Sequence, residues 1–318
     1  MTATVSAPAP TTSRPWLPLA AVAFTLLTWA SAFVAIRHLG GTVPAGSLSL
    51  GRLLVAVVVL GGMVVVSKGR IRLPARGAWP LIALGGASWI GVYNLTLNAG
   101  EQRIDAGTAA LLIQVGPILV ALLATVFLGE RLTQWVVLGI GVGFAGVVLI
   151  GRASSTGDNG DLAGVALTLV AALTFAVGVI SQKRLLGSGM TALEMTFWFY
   201  VVGTVVCLPW SGELVGVVAD ASAADLGWIV YLGVVPSALA FTTWAYALSH
   251  ADAGKFAMTT FLVPFITSLI AWALLDEVPP AMAFVGGALC IGGVLLTRRA
   301  PRPASTPPGA VEAGGAPL

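Results

Sequence analysis

Asn94 and Asn98 stand four residues apart in an otherwise apolar stretch, and Gln114 follows beyond a short polar break. On a helix, positions i and i+4 share a face, so the two asparagines make one polar stripe. Trp89 and Tyr93, also four apart, make the stripe beside it. Carboxamides in a bilayer core are costly unless they find partners, so this face is expected to turn inward. There Asn94, Asn98 and Gln114 either hydrogen-bond a solute, with Tyr93 stacking on it, or hold neighbouring helices together. Arg52 is the one basic residue well inside an apolar stretch. Burial at such a depth costs at least ~2.5 kcal/mol on insertion scales, so the guanidinium should reach water, a carbonyl or an anion. Binding a substrate carboxylate is its sharp use; a structural role, or snorkelling to the nearer surface, is its plain one.

The acids are placed differently. All 13 carboxylates fall in connections, in the tails or in the last turn of an apolar stretch. Glu130 and Glu277 each follow such a stretch and read as helix-end or gate residues that pair with loop arginines such as Arg131. With two histidines, no paired acids at depth and no H-E-x-x-H, the chain lacks the clustered groups of a membrane enzyme or metal site, and no cofactor is implied. His38 and His250 stand at the ends of stretches. Cys207 and Cys290 lie inside apolar stretches and read as small buried hydrophobes.

These residues must be positioned by helices in a membrane. The chain is 57% hydrophobic and 9% charged, with mean hydropathy +0.95, whereas soluble domains carry about 25% charged residues. A net charge of +3 is spread over short connections, which argues against nucleic acid as a partner. A spanning helix needs roughly 20 apolar residues. Ten stretches meet that need: 17–38, 45–67, 78–99, 105–128, 133–151, 162–184, 192–212, 226–249, 254–275 and 280–297. Residues 1–16 and 300–318 are low-complexity tails expected to be disordered. Counting Lys and Arg in alternate connections puts twelve on the side of both termini and three opposite. The positive-inside rule then makes both termini cytoplasmic in a multi-pass protein of the cell membrane.

The stretch Asp105–Arg131 is repeated at Asp252–Val278 with every landmark displaced by 147: Gly107 and Gly254, Pro117 and Pro264, Glu130 and Glu277. Gly139 and Gly286, Gly146 and Gly293, and Arg152 and Arg299 keep that register. So long a run of matches marks an internal duplication, with repeats at 17–152 and 160–299. Five spans per repeat invert the second half relative to the first, the ground plan of many secondary transporters. Proline has no N–H, so Pro117 and Pro264 free the carbonyls of Ile113 and Thr260 and favour a bend there. A freed carbonyl is tolerated only inside protein or beside a watery cavity. The copies differ in chemistry, since Asn94, Asn98 and Gln114 match Phe241, Ala245 and Phe261. The expected cavity has one polar wall and one aromatic wall, to which Trp29 and Trp244 add. That suits an amphipathic small molecule. Small-residue faces, Gly139-x-x-x-Gly143 and Gly286 with Cys290, Gly292 and Gly293, allow close packing between the halves or in a homodimer.

Thr28–Arg37 (TWASAFVAIR), Asn98–Thr133 and the weaker second copy resemble the EamA family of the drug/metabolite transporter superfamily, over nearly everything between Leu17 and Arg299. The resemblance implies a ten-helix membrane carrier of small metabolites or drugs, often outward, with amino acids among the substrates of some relatives. Small multidrug members of that superfamily exchange protons for cations on a glutamate in the first span. Here that region reads Trp29-Ala30-Ser31. Export by alternating access is therefore the expectation, with downhill facilitated export favoured over coupled antiport and both left open. A channel-like pore and a non-transporting receptor or assembly subunit are the alternatives, and the short connections speak against the latter.

Overall fold

The computed structural model describes residues 16–39, 42–103, 112–154, 161–275 and 281–299. Among these, all regular structure is helical. In chain order the first half has α1 (Leu17–Leu39), α2 (Ala45–Lys68), α3 (Trp79–Gly85), α4 (Tyr93–Glu101), α5 (Val115–Leu128) and α6 (Gln134–Ser154). The second half has α7 (Leu162–Leu185), α8 (Ala192–Cys207), α9 (Ser211–Asp220), α10 (Ala223–Gly233) and α11 (Ala240–Leu248), then α12 (Ala253–Ala257), α13 (Val263–Leu275) and α14 (Ala281–Arg298). Among the described residues, six helical stretches are long and apolar enough to cross a membrane: Ala45–Lys68, Arg76–Glu101, Leu162–Leu185, Ala192–Asp220, Ala223–Leu248 and Ala253–Ile270. Shorter apolar helices at Leu17–Ala32, Val115–Leu128, Gln134–Ile150 and Phe284–Thr297 fall on the other expected positions. Large apolar side chains such as Val58, Val126, Leu173 and Val205 face outward, as a lipid-bathed surface requires.

Local chemistry sets the helix ends. Asp161 accepts from the N–H groups of Ala163 and Gly164 at the start of α7, Thr191 and Glu194 form a capping box on α8, and Ser222 caps α10. These side chains satisfy N–H groups that a first turn leaves unpaired. At the other end, α5 stops on Gly129 in the left-handed region (φ 69°), where a side chain would be strained.

The repeat is present in the backbone as well as the sequence. A π-helical turn at Gly86–Val92 joins α3 to α4, and another at Val234–Leu239 joins α10 to α11. They differ in register by the repeat length. Both motif helices break before their prolines, at the turn on Gln114 and in the 3-10 segment Met258–Leu262. A 3-10 or π interruption within a helix commonly marks a functional hinge.

The glycine faces pack against each other within the chain. A Cβ on Gly139 would lie 2.7 Å from the carbonyl oxygen of Gly293, and one on Gly146 would lie 2.4 Å from that of Gly286. These contacts exchange under the repeat, and the equivalent residues Gly143 and Cys290 meet each other, with Sγ 3.5 Å from the Gly143 carbonyl. A pseudo-two-fold axis therefore passes through the α6–α14 contact, where Gly139, Gly143 and Gly146 meet Gly286, Cys290 and Gly293.

Candidate functional site

Near the breaks lies a cavity of about 100 Å³, room for several waters at roughly 10–15 Å³ of such space each. Trp29, Arg52, Tyr93, Asn94, Gln114, Pro117, Phe241 and Thr260 line it, which brings together eight of the residues singled out in the sequence. Trp89, Phe175, Leu97 and Ile113 complete much of the wall. Phe175 carried no polar or proline signal and belongs to no repeated motif, so only the fold places it here. Trp89 and Leu97 sit beside the asparagine stripe, and the π turn rotates Trp89 into the wall.

The aromatic side is one connected cluster. Phe241 stands between Trp29 (ring centroids 5.3 Å), Trp89 (4.9 Å) and Tyr200 (5.4 Å). Trp244 is fully buried behind this layer, stacked on Trp29 at 4.8 Å and on Phe256 at 4.4 Å, so it supports the wall rather than forming it. Phe261 is also displaced from its expected place: it is fully buried and packs over Gly143, in a cluster with Ala121, Val147, Met258 and Cys290. Pro264 is buried and likewise outside the lining. The 3-10 segment before it turns Thr260, rather than Phe261 or Pro264, to the cavity.

The polar groups are spent largely across the two halves. Gln114 donates through Nε2 to the carbonyl of Thr260 at 2.9 Å. That is the carbonyl Pro264 deprives of its helical partner, so an amide of the first repeat repairs a backbone break in the second. Trp29 donates Nε1–H to the Pro236 carbonyl in the second π turn at 3.1 Å. Arg52, 7% exposed, does not snorkel; its Nε and Nη2 both donate to Ser237 Oγ, at 3.2 and 3.0 Å. Its Nη1 has no hydrogen bond among the described residues, and the side chain lines the cavity. Asn94 bonds its own helix, through Nδ2 to the Ile90 carbonyl. Asn98 reaches α2, donating to Ser49 Oγ at 2.9 Å, and is not in the lining. One asparagine thus faces the cavity and the other joins helices.

Glu130 meets backbone rather than Arg131. Its carboxylate accepts from the N–H groups of Ala253 (2.6 Å) and Gly254 (3.0 Å) at the start of α12. Nearby, Lys183 donates to the carbonyls of Leu248 and Ala251. Arg184 donates to the Phe127 carbonyl and lies 5.4 Å from the centre of that ring. The ends of α5, α7 and α11 are thereby tied to the start of α12. A cleft of about 210 Å³ lined by Glu130, Arg131, Asp252 and Lys255 lies at this end. Glu277 and Asp105 lie outside the described residues.

One acid was missed. Glu101 is in the last turn of α4, where a carboxylate would ordinarily be solvated, yet its Oε1 is sealed from solvent with no hydrogen-bond partner among the described residues. Its spacing from Asn94 and Asn98, seven and three residues, was the available signal.

Residues 16–152 and 162–299 match the EamA-like transporter family, one match for each half. A protein of Streptantibioticus cattleyicolor named "Probable terminal-alkyne amino-acid exporter" is 40% identical over 292 residues, covering 90% of this chain and 96% of its own. "Uncharacterized transporter YdfC" of Bacillus subtilis is 32% identical, covering 85% and 87%. "Pseudopaline exporter CntI" of Pseudomonas aeruginosa is 25% identical, covering 83% and 89%. A solved crystal structure shares the fold with a TM-score of 0.72 at 20% identity, over 90% of this chain and 99% of its own.

Proposed function

The chain belongs to the EamA-like transporter family, and from that premise we propose that it exports small organic solutes, amino-acid-type metabolites first among them, across the cytoplasmic membrane. The carrier has ten spans in two inverted halves, with both termini in the cytoplasm, and works by alternating access. One observation carries the reading: a cavity lined by both halves sets aromatic side chains together with Arg52, whose Nη1 has no hydrogen bond among the described residues. An arginine with a free donor is suited to a carboxylate, and the aromatic wall to an apolar side chain. The 40% identity to a protein named as an amino-acid exporter supports the same class.

Substrate enters from the cytoplasm when the Glu130 end opens. The bonds from Glu130 to α12 and from Lys183 and Arg184 to neighbouring carbonyls hold that end shut in this conformation. The broken helices α5 and α12–α13 act as hinges. A closed end favours a carrier over an open pore.

The test is counterflow in proteoliposomes with radiolabelled L-propargylglycine, a terminal-alkyne amino acid, beside a panel of natural amino acids. Saturable, trans-stimulated exchange of at least one of them is expected. No exchange of any panel member by protein that elutes as a single folded species would overturn the assignment.

A further inference from the structure

The connection from α2 to α3 carries charge that the fold leaves unspent. Lys68, Arg70, Arg72 and Arg76 stand within nine residues with no acid among them, and the first carboxylate of the whole chain is Glu101. All four are exposed, and none has a side-chain hydrogen bond or ion pair among the described residues. Lys183 and Arg184, on the same side by the charge count, are bound to backbone carbonyls instead. Glu194 on α8 feels Lys68 and Arg72, but its carboxylate is engaged by Thr191 in the capping box.

The same segment exposes large apolar side chains. Ile71 is 43% and Leu73 79% exposed, and Val66, in the last turn of α2, is 88% exposed. Cation and apolar residue thus alternate over Arg70-Ile71-Arg72-Leu73, and residues 71–75 form no helix. Gly69, in the left-handed region at φ 74°, turns the chain out of α2. The segment does not project away from the bundle. On α8, the Nε1–H of Trp198 donates to the Arg72 carbonyl at 3.2 Å, and the Trp198 ring meets Trp79 edge-on at 5.3 Å. Tryptophans gather at the headgroup level of a membrane, so the bond to Trp198 holds Arg72 at that level. There an apolar side chain enters the acyl boundary while a neighbouring cation meets phosphate.

We propose that Lys68–Arg76 is an interfacial strap that binds the phosphodiester headgroups of anionic phospholipids in the cytoplasmic leaflet. Basic segments directly beside a spanning helix are attracted to such headgroups. A soluble phosphate lacks the acyl chains that Ile71 and Leu73 would contact, so the occupant is a lipid. Placement in the cytoplasmic leaflet rests on the orientation proposed above. The strap lies apart from the substrate cavity, and its lipid binding stands or falls independently of what the cavity carries.

Native mass spectrometry of the full-length protein in detergent, with equimolar phosphatidylglycerol and phosphatidylcholine, tests this. Phosphatidylglycerol should be retained several-fold over phosphatidylcholine, and millimolar inorganic phosphate should not displace it. K68Q/R70Q/R72Q/R76Q should lose most of that preference, whereas R70K/R72K/R76K, which keeps the charge, should retain it. Because the neutralised variant could misfold, the unmodified protein provides a second readout. Phosphatidylglycerol with a photoreactive headgroup should label peptides containing residues 68–76 ahead of those from the other cytoplasmic connections. An undiminished preference in the neutralised variant, its loss in the lysine variant, displacement by phosphate, or label spread evenly over the cytoplasmic connections would overturn the proposal.

Discussion

The two halves of this protein share a frame and divide the chemistry. Each has a π turn at the same register, a break before a proline and glycines that admit the other half's backbone. Gly86 approaches the backbone of Phe199 as Gly233 approaches that of Arg52, and these pairs are equivalent under the repeat. The side chains at equivalent positions differ sharply: Arg52 and Phe199, Asn94 and Phe241, Gln114 and Phe261, Glu101 and Leu248. Across the cavity the first half supplies the donors, Trp29, Arg52 and Gln114. The second supplies acceptors, the Pro236 and Thr260 carbonyls and Ser237. Backbone packing is common to both copies because both must close on one axis. The cavity faces were free to diverge: aromatic side chains come from both halves, whereas Arg52, Asn94 and Gln114 come from the first alone.

The shared frame breaks most severely at the axis. Gly146→Leu should destabilise the protein by about 3 kcal/mol, at the upper end of overpacking costs because backbone, not side chain, must yield. Thermal unfolding in detergent followed by tryptophan fluorescence would measure it. The divided chemistry is sharpened by Arg52→Ala, which should lower exchange of L-propargylglycine ten- to a hundredfold, since a hydrogen bond to a charged group contributes about 1.5–3 kcal/mol. Arg52→Lys should restore little, because one ammonium lacks the fork that holds Ser237 and a carboxylate together. Gln114→Leu leaves the Thr260 carbonyl unpaired and should cost about 1 kcal/mol, within the measured range for interhelical bonds in membranes. The same unfolding assay reads it.

The smallest effect is at the surface. The Asp161 carboxyl is held below the ordinary carboxylate range by the N–H of Gly164, which desolvation opposes and which the N–H of Ala163 and then Arg103 reinforce. A depressed value means that its stabilisation is complete above the unfolded value near pH ~4 and is lost as pH falls through the lower folded value. Asp161→Ala should therefore remove a shallow acid-side decline in melting temperature and leave the shape above that pH unchanged. With both partners substantially exposed, the effect should be slight.

The apolar stretches, the duplication and the prolines were legible because helices in lipid need length and apolarity, and because a 147-residue displacement survives side-chain divergence. Trp29, Arg52, Asn94 and Gln114 could be placed near the cavity because polar and bulky groups at depth must face protein. What escaped depends on local rotation. The π turns shift the facing of Trp89 and Ser237, which 3.6-residue periodicity does not register. The 3-10 segment turns Phe261 away from the cavity and onto Gly143. Glu101 was not singled out because acids at the ends of stretches are ordinarily solvated, and only packing reveals that one of its oxygens is sealed from solvent. Trp244 stood correctly among the aromatic residues but one layer too deep.

The central claim is that α5 and α12 must part for substrate to pass. A Cβ built on Gly254 lies 3.5 Å from the Cβ of Ala121, at the short end of the disulfide range of about 3.5–4.5 Å. The two native cysteines are buried. In an Ala121→Cys/Gly254→Cys variant, oxidation should reduce counterflow to less than about a tenth of its reduced level, and dithiothreitol should restore it. Full counterflow through protein shown by mass spectrometry to be cross-linked would contradict the account.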